Sequence, residues 1–173
     1  YRGGGYREYQ CVSAKQAFAA PAASRELLGL GLSGLTASIG LEEVGQLKPA
    51  SDSGPKTVLV TAAAGATGSF AVQLAKNAGH HVVGTCGGTE KAALLAELGC
   101  DRVIDHRAES VDKVLKTHYP DGLDLIYEGV GGALFDTCVD HLATRGTLLV
   151  VGYISEYDTG ARPVHQPRIY EKL

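Results

Sequence analysis

The amino-acid sequence predicts an α/β fold in which a parallel sheet carries helices on both faces. Short apolar runs, which are typical of buried strands, alternate with segments whose apolar residues recur at helical spacing between Lys56 and Val151. A glycine-containing turn follows the first run, and glycines also follow several later runs. Strand–helix–strand units at this rhythm require parallel pairing with right-handed crossovers, so the pattern indicates a doubly wound sheet.

Before the sheet, the chain is less regular. Residues 6–12 alternate weakly, as a strand would, and residues 1–24 as a whole are interpreted as a connector. Two helical patterns follow between Arg25 and Gly45, and a polar loop then leads to the first strand. We therefore assign residues 25–173 to one α/β domain, which is long enough to build a real core.

From residue 57 onward, five strands and four intervening helices are predicted. The strands cover residues 57–61, 81–85, 102–105, 123–127 and 147–151. The helices cover residues 70–78, 89–98, 109–118 and 134–142. Gly99 ends the second helix and Pro120 ends the third, because glycine suits a helix C-cap and proline cannot continue a helix.

The turn after the first strand has the chemistry of a phosphate-binding site. It reads Ala63-x-Gly65-x-x-Gly68, which is the dinucleotide fingerprint with alanine in the first place. A helix N-terminus has unpaired N–H groups and a partial positive charge, and glycine lets a phosphate approach that backbone. A plain strand-to-helix turn would show the same pattern, but the strand before it, the helix after it and the following strand favour nucleotide binding.

The segments that follow the strands are expected to meet at one edge of the sheet, because the carboxyl ends of parallel strands lie together. These segments are residues 63–68, 85–88, 106, 129–132 and 152–157. Three of them are rich in glycine, as a cleft lined by backbone requires. The sequence therefore predicts that the ligand binds at this edge.

The second strand indicates which dinucleotide is bound. Sites for NAD place a carboxylate about 20 residues after the turn, where it binds the ribose 2′-hydroxyl. This chain has no carboxylate there until Glu90, which permits the 2′-phosphate of NADPH. Lys91 could pair with that phosphate and His106 would be its neighbour, although a solvated helix lysine is an equally good interpretation of Lys91.

Composition and charge exclude several classes of function. The 173 residues carry a net charge of −3 and no dense basic face, so nucleic acid is not an expected partner. No apolar run approaches membrane-spanning length, and no secretory signal is visible. The four cysteines lack a zinc-binding spacing. They predict free thiols in a reducing intracellular compartment (cytoplasm, mitochondrion or peroxisome), and we expect no metal site.

Taken together, these segments resemble the cofactor-binding half of the zinc-independent medium-chain dehydrogenase/reductase superfamily, and most of all its quinone-oxidoreductase and prostaglandin-reductase branch. The likeness is carried by residues 5–9, 33–37, 62–76, 84–86, 127–132 and 152–157. The resemblance implies a Rossmann domain that binds NADPH. It also implies a reductase that transfers hydride to the double bond of an enone or quinone.

The resemblance further implies roles for the residues at matching positions. Those expected around the pyrophosphate are Gly65, Ala66, Thr67 and Gly68. Those expected around the 2′-phosphate are Gly87, Lys91 and His106. Those expected beside the ribose and nicotinamide are Val130, Val151 and Ile154, and Gly129 is a further cofactor-binding position. Tyr157 would hydrogen-bond the enolate oxygen that forms as hydride reaches the β-carbon, although it could equally be a surface loop tyrosine.

The chain also departs from that family. Gly87 and His106 stand where the family usually has Ser and Tyr, and Gly129 stands where it commonly has Ser, Asn or Thr. The GroES-like catalytic domain is missing except for a remnant within residues 1–24, and so is the last strand of the sheet. Because the chain also begins at Tyr1 and not Met, we expect a portion of a longer product that is inactive alone.

Two hypotheses follow for the function. The first is the cofactor-binding portion of an NADPH-dependent enone or quinone reductase. The second is a catalytically inactive, dehydrogenase-like module with a structural or binding role in a larger assembly. Under either hypothesis the fifth strand leaves an open sheet edge, where a homodimer or another partner could pair.

Overall fold

The computed structural model describes residues 8–17, 19–21 and 24–160. Its sheet has five strands, all parallel, in the order β3-β2-β1-β4-β5. The strands are β1 (Thr57–Val60), β2 (His81–Cys86), β3 (Arg102–Asp105), β4 (Leu123–Glu128) and β5 (Leu142–Val150). The predicted α/β fold with a parallel sheet is confirmed.

Six helices accompany the strands in the described part of the chain. They are α1 (Arg25–Val44), α2 (Ala50–Ser53), α3 (Ala66–Asn77), α4 (Thr89–Glu97), α5 (Val111–His118) and α6 (Gly132–Asp140). Single 3₁₀ turns lie at Ala14–Gln16 and Ile154–Glu156. The four helices predicted between strands are all present, with ends that differ by a few residues.

The core lies on both faces of the sheet, and successive residues of β1 show how. Val58 and Val60 pack on one face with Ala71 and Ala75 of α3, whereas Leu59 packs on the other face with residues of α5 and α6. All three β1 residues are fully buried, because a central parallel strand has helices above and below it. Continuous apolar runs in the sequence therefore correspond to strands that are buried on two sides.

The fifth strand begins earlier than predicted. It starts at Leu142 and not at residue 147, and β5 advances from Leu142 to Thr147 while its partner β4 advances only from Leu123 to Leu125. The extra residues form an irregularity in which Arg145 has a φ of 63°. A bulge of this kind breaks the apolar pattern that sequence reasoning depends on.

The two helical patterns before the sheet form one continuous helix, α1, which contains π-helical turns at Leu30–Gly34 and Ile39–Val44. Ala37 and Leu41 are buried on its inner side. Several large apolar residues of α1 are exposed: Leu28, Leu30, Leu32, Leu35, Ile39 and Val44. Residues 28, 32, 35 and 39 among these recur every three or four positions, so they form a stripe, which we call the α1 apolar stripe.

The N-terminal part of the structure differs from two expectations. The strand predicted over residues 6–12 is wrong for residues 8–12, which form no strand, and residues 6 and 7 lie outside the described part. Helix α1 has 20 residues and a mean hydropathy of 1.2, so by length and composition it could cross a membrane. The expectation that no segment approaches this length is therefore not confirmed.

Candidate cofactor site

A cavity of about 200 Å³ opens at the carboxyl edge of the sheet, beside the ends of β1, β2 and β4. Its lining residues are Ala62, Ala64, Gly65, Thr85, Cys86, Gly87, Lys91, His106, Val130 and Leu134. The structure thus brings together five of the residues selected from the sequence: Gly65, Gly87, Lys91, His106 and Val130. Leu134 was not selected as a site residue, since its helical spacing indicated only a buried helix face.

The turn between β1 and α3 leaves the start of that helix open. Gly65 is the N-cap of α3 and has no side chain that could bond the first-turn N–H groups. Ala62 adopts a left-handed φ of 46°, and its own N–H donates to the Thr85 hydroxyl at 3.2 Å. The turn is thus held from β2, while the N–H groups of Ala66 and Thr67 at the start of α3 remain available to an anion.

Gly68 serves packing more than ligand approach. A Cβ built at this position would lie 2.6 Å from the Ala62 carbonyl oxygen and 2.8 Å from the Ala63 Cα. Both are backbone atoms of the turn, so they could not move aside easily. A Cβ at Gly65 would lie 3.1 Å from the same carbonyl oxygen, which is tight but open on its other sides. Gly68 is therefore required for close packing of the turn, whereas Gly65 leaves space at the start of α3.

Beyond Gly87, the far end of the cavity carries positive charge. A Cβ at Gly87 would lie 2.8 Å from His106 Nε2 and 3.2 Å from Arg107 Nε. The absence of a side chain at residue 87 thus lets both basic side chains lie against the turn. Lys91, on the first turn of α4, lines the same cavity. We call Lys91, His106 and Arg107 the basic cluster.

Arg107 was missed in the sequence analysis. It follows His106 directly, so the adjacent basic residue after the third strand was the available signal. Nearby, Asp105 accepts hydrogen bonds at Oδ1 from the backbone N–H groups of Gly88 (2.9 Å) and Arg107 (3.0 Å). These two bonds lower the pKa of the Asp105 carboxyl.

On the β4 side of the cavity, the loop 129–131 is held by two side chains. Gly129 N–H donates to the Thr61 hydroxyl at 2.9 Å. Val130 and Gly131 N–H groups donate to Glu128 Oε1 at 2.8 and 3.0 Å. Glu128 is fully buried, which its place at the end of an apolar strand did not reveal.

Tyr157 and its neighbours border this loop and do not line the cavity. Val151 N–H donates to the Glu128 carbonyl at 2.7 Å, and Ile154 N–H donates to the Gly129 carbonyl at 3.4 Å. Tyr157 is 61% exposed and stacks edge-on against Tyr153, with ring centroids 5.1 Å apart. A Cβ at Gly152 would lie 3.3 Å from the Tyr157 hydroxyl and 3.5 Å from the Gly129 carbonyl oxygen, so the hydroxyl and the start of the loop 129–131 lie on the same side of Gly152.

Burial raises the pKa of cysteine thiols in the domain core. Cys86 lines the cavity, but burial raises the pKa of its thiol, and burial also raises the pKa of Cys100 to about 11.

Within the described residues, no group of three His, Cys, Asp or Glu side chains could hold a metal ion. His80, one of two adjacent histidines, is buried with both ring nitrogens bonded to backbone groups.

Comparisons with known proteins identify related sequences. Residues 66–171 match the family described as zinc-binding dehydrogenase. Prostaglandin reductase-3 of Mus musculus is 52% identical over 172 residues, which are 98% of this chain and 44% of that protein. A probable quinone oxidoreductase of Leishmania amazonensis is 40% identical over 91% of this chain and 45% of its own length. The chain spans somewhat less than half the length of these curated relatives.

Solved structures share the fold. CurA from Vibrio vulnificus in complex with NADPH is 34% identical, with a TM-score of 0.74 over 88% of this chain and 44% of that one. A quinone oxidoreductase from Pseudomonas syringae pv. tomato DC3000 is 32% identical, with a TM-score of 0.75 over 90% of this chain and 46% of that one. The resemblance stated from the sequence is therefore confirmed.

Proposed function

The chain belongs to the zinc-binding dehydrogenase family, and from this premise we propose that it is the NADPH-binding portion of a reductase. One observation carries the proposal. A single cavity joins the open N-terminus of α3, at Gly65, to a cluster of basic side chains beside Gly87. A cofactor with a pyrophosphate and a separate 2′-phosphate needs both features at once.

The pyrophosphate would lie at the start of α3. The N–H groups of Ala66 and Thr67 at that helix end, together with the helix dipole, favour an anion there. Gly65 lines the cavity and carries no side chain, so it leaves room for the phosphate. The fit is of backbone to phosphate and needs no charged side chain.

The basic cluster would hold the 2′-phosphate. Lys91 and His106 line the cavity, and the Arg107 guanidinium lies against the Gly87–Gly88 turn. The neighbouring carboxylate of Asp105 uses Oδ1 to accept from two backbone N–H groups. Arginine and lysine suit phosphate recognition, so the cluster supports NADPH over NADH.

For the reaction, we propose reduction of an activated carbon–carbon double bond in an enone or quinone. When bound, NADPH supplies the hydride, and the protein supplies orientation and hydrogen bonds. The Tyr157 hydroxyl, beside the loop 129–131, would donate to the substrate oxygen on which negative charge develops. Related proteins named prostaglandin reductase and quinone oxidoreductase support this class of substrate.

The proposed domain division is a connector over residues 1–24 and the NADPH domain over residues 25–173. In the described part of the chain, β5 has β4 as its neighbour and no strand on its outer side. Pairing of this edge with a second copy of the chain therefore stays a prediction.

A second candidate function is a dehydrogenase-like module that has lost tight cofactor binding. It is favoured by Gly87 and Gly129, which offer no side chain to the cofactor. A Cβ at Gly129 would meet no atom within 4 Å, so a serine fits there without strain from neighbours. If the missing side chain is the cause of weak binding, Gly129→Ser should strengthen NADPH binding by restoring a hydroxyl contact.

The test is titration of the 173-residue chain with NADPH and, separately, with NADH. We expect NADPH to bind in the micromolar range, and Lys91→Ala and Arg107→Ala each to weaken it about tenfold by removing one phosphate-pairing charge. NADH affinity should change little in either variant. Lys113→Ala on α5 removes an exposed lysine that does not line the cavity, and is the matched control. Failure of the wild-type chain to bind either nucleotide would favour the module.

A further inference from the structure

We propose that Glu128 is a positioning residue of the cofactor site, which fixes the loop 129–131 through a buried carboxylate; this role rests on the NADPH site proposed above. Glu128 has no role among those predicted from the sequence, and its side chain does not line the cavity. Its effect would reach the cofactor through the backbone of Val130, which does line it.

The geometry around Glu128 is specific. Oε1 accepts from Val130 N–H at 2.8 Å, from Gly131 N–H at 3.0 Å and from the Thr61 hydroxyl at 3.3 Å. Oε2 accepts from Gly131 N–H at 3.2 Å. The Val130 and Gly131 N–H groups can only donate and they face both oxygens of the side chain, so the site requires acceptors there, which a carboxylate provides.

Burying a carboxylate at residue 128 costs free energy. Glu128 has no exposed surface, and among the described residues no lysine, arginine or histidine forms an ion pair with it. A buried charge without a counter-ion is strongly unfavourable unless hydrogen bonds compensate for the lost water. Here charge-assisted bonds from backbone N–H groups provide that compensation. An apolar side chain would fill the space but leave the Val130 and Gly131 N–H groups without an acceptor, so packing alone does not explain a carboxylate here.

The loop 129–131 also contacts the turn that carries Tyr157. The Val130 carbonyl accepts from Ser155 N–H at 2.9 Å and from the Ser155 hydroxyl at 2.7 Å. Gly131 has a φ of 78°, and a Cβ there would lie 2.8 Å from Tyr153 Cβ. Glu128 therefore fixes the cavity wall at Val130 and, through the same loop, the turn that carries Tyr157.

The experiment compares two variants of Glu128 in the full 173-residue chain. Glu128→Leu removes both acceptors while keeping a similar volume. Glu128→Gln keeps one acceptor oxygen but loses the charge, and serves if the leucine variant does not fold. We expect the NADPH dissociation constant to rise at least about tenfold in the leucine variant and by less in the glutamine variant.

Binding is measured at a temperature at which circular dichroism shows each variant fully folded. Val114→Ala, a buried α5 substitution that does not line the cavity, lowers stability without touching the loop bonds and is the control. Amide exchange of Val130 and Gly131 in the free proteins is followed in parallel, and should accelerate only in the Glu128 variants.

Two results would overturn the role. If wild type binds NADPH and both folded Glu128 variants bind it equally well, as Val114→Ala does, Glu128 only stabilises the fold. If wild type binds neither NADPH nor NADH, the proposed cofactor site fails and this role fails with it. The two failures differ in the behaviour of the wild-type chain, so they are distinguishable.

Discussion

The turn after β1 and the loop after β4 lie side by side at the centre of the sheet. Their backbone N–H groups differ, because those where the turn meets α3 lack a side-chain cap and those of the loop are bonded to side chains. The turn ends in Gly65, which leaves the first N–H groups of α3 without a cap. The loop 129–131 gives every one of its N–H groups to a side chain, Thr61 or Glu128. Both segments are rich in glycine, and sequence composition alone does not distinguish them.

The difference shows which segment can hold an anion. Free N–H groups at a helix start attract a phosphate, whereas N–H groups already bonded to a carboxylate have none of that capacity left. A buried negative charge beneath the loop would also repel a phosphate. The strand order reverses between β1 and β4, so the two segments flank the switch point where ligands of such sheets bind.

The largest expected effect is on Gly68→Ala. Alanine usually stabilises a helix by about 1 kcal/mol relative to glycine. Here the added Cβ would lie 2.6 Å from the Ala62 carbonyl oxygen, so overpacking decides the sign. We expect a net loss of about 3 kcal/mol in the free energy of unfolding, measured by urea denaturation.

Gly65→Ala is the matched control, with the same chemical change three residues earlier. Gly65 has φ −78° and ψ 173°, which alanine adopts readily, so we expect a change of less than about 1 kcal/mol. NADPH binding should nevertheless weaken, because the methyl group would lie beside the phosphate. Equal destabilisation by the two substitutions would contradict the division of roles between the two glycines.

A smaller effect is expected from Thr61→Val. The change removes the acceptor of Gly129 N–H and one donor to the Glu128 carboxylate, which should cost about 2 kcal/mol of stability. Thr85→Val is the counterpart on the other segment, since among the residues that the structure describes the Thr85 hydroxyl accepts one bond, from Ala62 N–H. Thermal unfolding of both variants should show the larger loss for Thr61→Val, and a reversed order would mean that the buried carboxylate does not depend on Thr61.

The smallest effect concerns Asp105, an accessible carboxylate that also holds backbone N–H groups. Those bonds lower its pKa in the folded chain, so it contributes stability above the unfolded value of about 3.9 and loses it as pH falls through the folded value. Asp105→Asn should therefore lose less stability than wild type between pH 7 and pH 3. Thermal unfolding of both proteins across this pH range measures the difference, and equal losses in wild type and Asp105→Asn would contradict the role of these bonds.

Much of the fold followed from local pattern. The run over residues 58–60 is apolar throughout because β1 has helices on both faces, as central strands of parallel sheets do. The early start of β5 did not follow, because Arg145 and Gly146 lie in a bulge that interrupts the apolar alternation. The continuity of α1 was also missed, since its π-turns shift the helical period.

The site was predictable where a residue's role depends on its own neighbours in sequence. Gly65 follows its strand at the spacing that the fingerprint requires, and Lys91 follows the next strand where a cation could meet a 2′-phosphate; both line the cavity. Glu128 was not predictable, because its full burial and its bond to Thr61, which lies 67 residues away in the sequence, appear only in the folded chain. Arg107 lies against the site because Gly87, in the turn after β2, leaves it room.

The α1 apolar stripe has a consequence for how the unfolding of this chain is followed. Leu28 and Leu32 are 79% and 75% exposed, so the native protein itself offers a surface to fluorescent hydrophobic dyes. Dye emission, which normally reports loosened packing, will then be high before any denaturation begins. The chain has no tryptophan and eight tyrosines, so the near-ultraviolet dichroism of tyrosine is the signal that distinguishes the native state from a loosened one.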